Sequence, residues 1–317
     1  MERMETKTKK VPFLKKWVIS MRPWALPAST MPVIFGTSLA VVFYGTSLRF
    51  FHFFLAILAM VILHSAANML SDVFDYRRGL DRNVTPVSGA LARGWLSEKK
   101  VAAGAAVLFV AGSAIGIILV FMTGRILLVI GAFGVVIGIF YTLLKYNAFG
   151  DLAVFLDFGI LGSLGAWVVQ TKEFSWLPVV WTIPMAMLVS AILHANNWRD
   201  IASDTQKKVR TIASILGDRG SLVYYYFLIL GPFGVVLLFV VLPRILKTGM
   251  PSMPWAFLIV FLSVPNAVHL LKRAVQRHKP KRPMDFMVLD GATSKHNLIF
   301  GILSTAAVWL HLILSRI

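Results

Sequence analysis

Residues 101–144 read VAAGAAVLFVAGSAIGIILVFMTGRILLVIGAFGVVIGIFYTLL, a long apolar stretch interrupted by one charge, Arg125. A helix that crosses a bilayer needs about 20 mostly apolar residues. The stretch is therefore two spans meeting at a turn, and it sets the reading of everything around it. Further charge-free runs lie at 23–48, 50–71, 174–198, 220–243, 248–271 and 296–315, and 152–171 joins them if Asp157 is allowed inside. The expected fold class is an all-α polytopic membrane protein with nine transmembrane helices. Transmembrane barrel strands are short and alternate in polarity, and these runs do neither.

Composition agrees. The 317 residues are 57% apolar and 15% charged, with a mean hydropathy of +0.75. This excludes a soluble globular domain, a disordered tail and a coiled coil. Cysteine is absent, which excludes disulfides, thiol nucleophiles, thiolate zinc sites and iron–sulfur ligation. The net charge of +18 would point to nucleic acid in a soluble protein. Here it has a simpler source, because basic residues gather in the cytoplasmic loops of membrane proteins, beside anionic lipid. With the N-terminus inside, 26 of the 32 Lys and Arg residues fall in cytoplasmic segments and six outside. One missed or invented helix would degrade that split. Membrane lipid is the expected surroundings, and no nucleic-acid partner is expected. Residues 1–22 read as a basic cytoplasmic N-terminal tail and 23–317 as a single helical domain. The first apolar run is too long for a signal-peptide core, so no cleavable signal is expected. The linker Lys272–Arg282 reads as a second basic segment on the same leaflet.

Only 14 acidic residues are present, so their positions are informative. Five fall in two stretches, Asn68-Met-Leu-Ser-Asp72-Val-Phe-Asp75-Tyr-Arg77-Arg78-Gly79-Leu-Asp81 and Asn196-Asn197-Trp-Arg199-Asp200-Ile-Ala-Ser-Asp204. Each lies where an apolar run ends, and the topology puts both ends at the cytoplasmic face. Asn68, Asp72 and Asp75 are spaced i, i+4, i+7 and form one helical stripe; Asn197, Asp200 and Asp204 form another. Unpaired carboxylates converging over one cavity would repel, and a hard divalent cation resolves the repulsion. Mg²⁺ takes oxygen ligands and is usually held by one or two carboxylates together with substrate phosphates. The arrangement points to a Mg²⁺–diphosphate site, the alternative being solvated helix ends. Arg77, Arg78, Arg93, Arg199, Lys207, Lys208 and Arg210 stand close enough to bind phosphate oxygens, although each alone also serves as a topology determinant. Arg22 opens the first span, in Arg22-Pro23-Trp24, and Lys145 ends the fourth at the same face.

The two motifs resemble the paired aspartate-rich motifs of the UbiA superfamily of intramembrane prenyltransferases. The nearest branch is the 1,4-dihydroxy-2-naphthoate polyprenyltransferases of menaquinone synthesis, which space the first motif with a Gly and a further Asp, as Gly79 and Asp81 do here. Arg22-Pro23-Trp24-x-Leu26-Pro27, Tyr141-Thr142, Gly150-Asp151-Leu152 and Thr211-x-Ala213-x₃-Gly217 extend the resemblance over residues 20–220. Two positions depart from it. Lys208-Val209 stands where the family often has Gly-Lys, so phosphate contact there falls to Lys207, Lys208 or Arg210. Asp157 stands where the family usually has an apolar or aromatic residue. A carboxylate at that depth is a functional candidate by default; the alternatives are a protonated carboxyl or a polar partner on a neighbouring helix.

The resemblance implies nine helices around a central cavity, in a bacterial or archaeal cell membrane with the active site on the cytoplasmic side. It implies transfer of a polyprenyl chain from polyprenyl diphosphate to an aromatic acceptor, here 1,4-dihydroxy-2-naphthoate, which loses its carboxyl group and gives demethylmenaquinone. Asn68, Asp72 and Asp75 would hold one Mg²⁺, and Asp200 and Asp204 a second, the metals bridging the diphosphate. Asn197 belongs with the substrate-binding set. Arg22, Lys145 and Arg199 would add positive charge. Tyr141, Phe140, Phe74 or Trp198 would face the allylic cation, with water excluded. Asp151 or Asp81 would assist deprotonation of the acceptor. His64 and His194 read as core hydrogen-bonding residues. The rivals are a relative using 4-hydroxybenzoate, homogentisate, a tetrapyrrole or a glycerol lipid as acceptor, and a secondary transporter. Transporters place their ionisable groups near the midplane, and here only Asp157 lies deep. The sequence leaves prenyl length and oligomeric state open.

Overall fold

The computed structural model describes residues 11–80, 84, 88–246, 252–279 and 284–316. Asp81, residues 1–10 of the basic tail and 280–282 of the basic linker lie outside the described residues. The described chain is helical almost throughout and contains no strand. In order the helices are α1 (Phe13–Met21), α2 (Pro27–Tyr44), α3 (Phe50–Arg77), α4 (Glu98–Thr123), α5 (Arg125–Tyr146) and α6 (Gly150–Thr171). There follow α7 (Trp176–Trp181), α8 (Ile183–Arg199), α9 (Ile201–Gln206), α10 (Ile212–Leu246), α11 (Trp255–Val275) and α12 (Leu289–Leu314).

Eight of these helices, α2 to α6 and α10 to α12, are long and apolar enough to cross a membrane. The ninth expected span, 174–198, is divided. The chain turns at Thr182 between α7 and α8, where Pro184 fits the first turn of the new helix. At 17 residues, α8 is shorter than a usual span. It is also the most enclosed, with Met185, Leu188, Ala191 and Trp198 all buried, and α6, α10 and α12 packed around it. A helix surrounded by protein does not need a lipid-facing surface of full length. Within the basic N-terminal segment, residues 13–21 form α1, a one-sided helix with Phe13, Leu14 and Val18 exposed.

Small residues let the inner helices approach closely. A Cβ on Gly36 of α2 would lie 2.2 Å from the Ser163 carbonyl oxygen of α6. A Cβ on Gly159 of α6 would lie 2.4 Å from the Ala186 Cβ of α8. The outer helices behave oppositely. Val110 and Phe121 on α4 and Phe133 on α5 are 71%, 86% and 62% exposed, which is tolerable only in lipid.

Two departures from regular α-helix bear on the site. Phe155–Leu161 within α6 is π-helical. α10 breaks at Gly217, whose φ of 63° favours glycine.

Candidate active site

The end of α3 carries the first motif. Asn68, Asp72 and Asp75 share one face, as their spacing requires, and Asp72 and Asp75 are buried. Arg22 caps α1 in a left-handed conformation (φ 52°) and so turns its guanidinium onto the Asp72 carboxylate. Asn68 donates to the Met21 carbonyl at 3.2 Å, tying the same turn to α3. From α5, Lys145 Nζ donates to Asp75 Oδ2 at 3.1 Å and the Tyr146 hydroxyl to Asp75 Oδ1 at 2.8 Å. Arg78 lies over the Tyr146 ring, 4.4 Å from its centre. A loop closes the far side, where a Cβ on Gly89 would fall 2.5 Å from Asp72 Oδ2.

The second motif straddles α8 and α9. Asp200 accepts from Arg199 Nε and a terminal guanidinium nitrogen, at 3.1 and 3.0 Å. The same guanidinium donates to Asp290 Oδ2 of α12 at 3.2 Å and to the Met287 carbonyl at 3.1 Å. Asp204 is buried, and accepts from the Thr211 hydroxyl at 3.4 Å. Burial pushes its carboxyl up to about 7; Asp200 and Asp75 add to the rise, and Lys145 and the Thr211 hydroxyl oppose it. Lys145 therefore stands within electrostatic reach of both motifs, hydrogen-bonded to Asp75 and attracted by Asp204. Thr211 and Ser214 cap α10 reciprocally, each side-chain oxygen accepting the other's backbone N–H at 3.1 and 2.8 Å.

The repulsion expected between bare carboxylates is relieved from within the protein, since Asp72, Asp75 and Asp200 each meet a cationic side chain. Among the described residues no three Asp, Glu or His side chains close on one point as a metal cluster. The donor set nevertheless suits a hard cation. It is all oxygen, and the buried Asn197 Oδ1 has no hydrogen-bond partner among the described residues.

Two cavities adjoin this cluster. The more polar of the two, about 90 Å³, is bounded by Arg22, Asn68 and Lys145 at the motif end, with Tyr141, His64 and Asp157 among its other walls. An apolar one of about 330 Å³ lies between α3, α4, α5 and α6. They share Ala67, Gly138, Asp157 and Phe158 and so meet at that neck. Ile117 and Leu128 line the apolar cavity and are about half exposed, at 52% and 50%, so it opens on the outer apolar surface.

Other expected site residues lie elsewhere. Arg77 pairs with Glu98 at 2.7 Å on an exposed surface. Arg93 donates to the Ser88 carbonyl at 2.9 Å and lies over Trp95. Lys207, Lys208 and Arg210 are exposed in the turn between α9 and α10, which docks on α5 through Arg210 N–H to the Tyr146 carbonyl at 3.2 Å. Asp151 is buried away from both cavities and faces His194 Nδ1 at 3.5 Å, while His194 Nε2 donates to the Ser221 carbonyl at 3.2 Å. Of the four expected aromatics, Tyr141 lines one of these two cavities and the other three line neither. Phe74 and Phe140 are exposed, and Trp198 is buried against Phe286.

Tyr146, Gly89 and Asp290 are contacts that sequence reasoning missed, and it gives Asn196, within the second motif, no role of its own. Asp290 had a visible signal, because only two acidic residues, Asp285 and Asp290, follow Asp218. It borders the polar cavity and accepts from Asn196 at 3.3 Å.

The profile of the UbiA prenyltransferase family matches residues 29–312. The chain is similar to the 1,4-dihydroxy-2-naphthoate octaprenyltransferase of Bacillus subtilis (strain 168), 32% identical over 288 residues, which cover 89% of this chain and 88% of that protein. It is similar to the UbiA prenyltransferase domain-containing protein 1 homolog of Drosophila melanogaster, 29% identical over 93% of this chain and 79% of that protein. The fold is similar to that of a UbiA homolog from Archaeoglobus fulgidus bound to GPP and Mg²⁺, with a TM-score of 0.60 and 13% identity over 92% of this chain and 99% of that one.

Proposed function

The chain belongs to the UbiA prenyltransferase family, and from that premise we propose that it transfers a polyprenyl chain from its diphosphate to 1,4-dihydroxy-2-naphthoate, with Mg²⁺. The observation that carries the reading is Lys145, held by Asp75 and attracted by Asp204 at the wall of a polar cavity that continues into an apolar one. A diphosphate head and a long apolar tail need that pairing of compartments. The acceptor is supported by the similarity to the Bacillus enzyme over most of both chains. The excess of basic residues on one side favours a cytoplasmic active site.

Asn68, Asp72 and Asp75 on one side, and Asn197, Asp200 and Asp204 on the other, would hold the metal. When bound, Mg²⁺ supplies charge neutralisation and Lewis acidity at the leaving diphosphate. Arg22 and Lys145 border the polar cavity while gripping carboxylates, so they are poised to turn from carboxylate to phosphate oxygen. As the allylic C–O bond breaks, positive charge grows on the terminal carbon. Tyr141 and Phe158 offer ring faces to it, and the walls keep water away.

The test is to incubate purified protein with geranylgeranyl diphosphate, Mg²⁺ and a panel of aromatic acceptors, and to identify the lipid product by mass. Asp72→Ala and Asp200→Ala are each expected to abolish transfer while insertion is normal. Near-normal activity in the purified double variant overturns the metal–diphosphate reading. Product formed from 4-hydroxybenzoate alone overturns the choice of acceptor.

A further inference from the structure

Among the described residues Asp157 is the one acidic side chain deep within an apolar span, and the chemistry proposed above does not use it. It sits in the π-helical stretch Phe155–Leu161, where the Gly162 N–H reaches back to the Asp157 carbonyl. Such wide turns cost regular hydrogen bonding and recur at functional sites. Its carboxyl lies against α5 at Gly134, where an added Cβ would come within 3.0 Å of Oδ1. Glycine leaves room there. The carboxyl has no hydrogen bond or ion pair among the described residues. It faces the neck shared by the two cavities. Next to it the Phe158 ring stacks on the His64 ring, with centroids 4.2 Å apart and planes 30° apart.

An unsatisfied carboxyl at membrane depth is costly and is retained where something completes it. A prenyl tail has no polar group to offer. A diphosphate is anionic and belongs beside Arg22 and Lys145 at the motif end. A hydroxylated aromatic ring supplies both a flat face and an O–H donor. We propose that Asp157 accepts a hydrogen bond from a ring hydroxyl of the aromatic acceptor, whose ring lies beside the Phe158–His64 pair, and that this contact decides which aromatic compounds are used. The proposal rests on the reading of the chain as an aromatic prenyltransferase.

The experiment measures KM for 1,4-dihydroxy-2-naphthoate and for geranylgeranyl diphosphate with full-length protein in lipid nanodiscs, together with its thermal midpoint. Asp157→Leu is expected to raise the acceptor KM about tenfold, the loss of one hydrogen bond, and to leave the diphosphate KM within twofold. Asp157→Asn keeps an acceptor oxygen and restores most of the affinity. If the Leu variant does not fold, Gly134→Ala crowds the same carboxyl and is expected to give the same split, about threefold. An unchanged acceptor KM overturns the assignment, as does an equal rise for both substrates. If the wild-type protein prenylates none of a panel of hydroxylated aromatics, the underlying reading fails instead, and the assignment with it.

Discussion

Arg22 and Lys145 each do two things, neutralising Asp72 and Asp75 and presenting positive charge to the polar cavity. Removing one strips a buried carboxylate of its partner as well as removing the phosphate contact proposed for it. Lys145→Met is therefore expected to cut transfer at least a hundredfold and to lower the thermal midpoint, because an uncompensated buried charge costs about 3–5 kcal/mol. Arg77→Gln is the contrasting case. Its pair with Glu98 is exposed, such pairs contribute about 0–1 kcal/mol, and activity is expected to stay within twofold in the same assay. The stripe Asn68, Asp72, Asp75 is legible in the sequence because helical spacing fixes one face. The partners are not. Tyr146 and Gly89 reach the same carboxylates from another helix and a loop, and spacing along one helix carries no information about what stands opposite. Arg77 shows the converse, a basic residue next to a motif in sequence that turns away in space.

Among the helices, apolar run length revealed the eight long spans, since lipid demands it of any segment that crosses. It could not show the break at Thr182 or the π-helical turn in α6, because both leave hydropathy unchanged and alter only backbone register. The close contact of α2 with α6 was equally hidden, as glycine reads as merely permissive in an apolar run. Gly36→Ala is expected to destabilise by about 1–3 kcal/mol, the usual cost of overpacking, because the obstacle is the Ser163 backbone and cannot rotate aside. A lower thermal midpoint in detergent, with KM unchanged for the protein still folded, is the expected reading. Gly217→Ala forces a side chain into a backbone region that is essentially glycine's alone (φ 63°, ψ −173°), at about 1–3 kcal/mol, and a correspondingly lower thermal midpoint is expected.

Across the whole molecule, the last two helices contain no recognised motif and yet hold the second one in place. Arg277, just beyond α11, donates to the Trp198 carbonyl and pairs with Asp218 at 2.9 Å, while Asp290 of α12 shares Arg199 with Asp200. Asp290 thus draws Arg199 away from Asp200. Asp290→Asn is expected to tighten Arg199 on Asp200 and to remove a negative charge beside the cavity. Both changes weaken cation binding, so the Mg²⁺ concentration for half-maximal pyrophosphate release is expected to rise several-fold. An unchanged Mg²⁺ titration would show that Arg199 does not mediate between the two.

The mouth of the apolar cavity between Ile117 and Leu128 lies on the side of the molecule that faces acyl chains. A long isoprenoid entering there need never pass through water, so the concentration that the protein senses is the mole fraction of that lipid in the bilayer. Diluting a fixed amount of it with inert phospholipid would then slow turnover in proportion to surface dilution, even though the amount per millilitre stays the same.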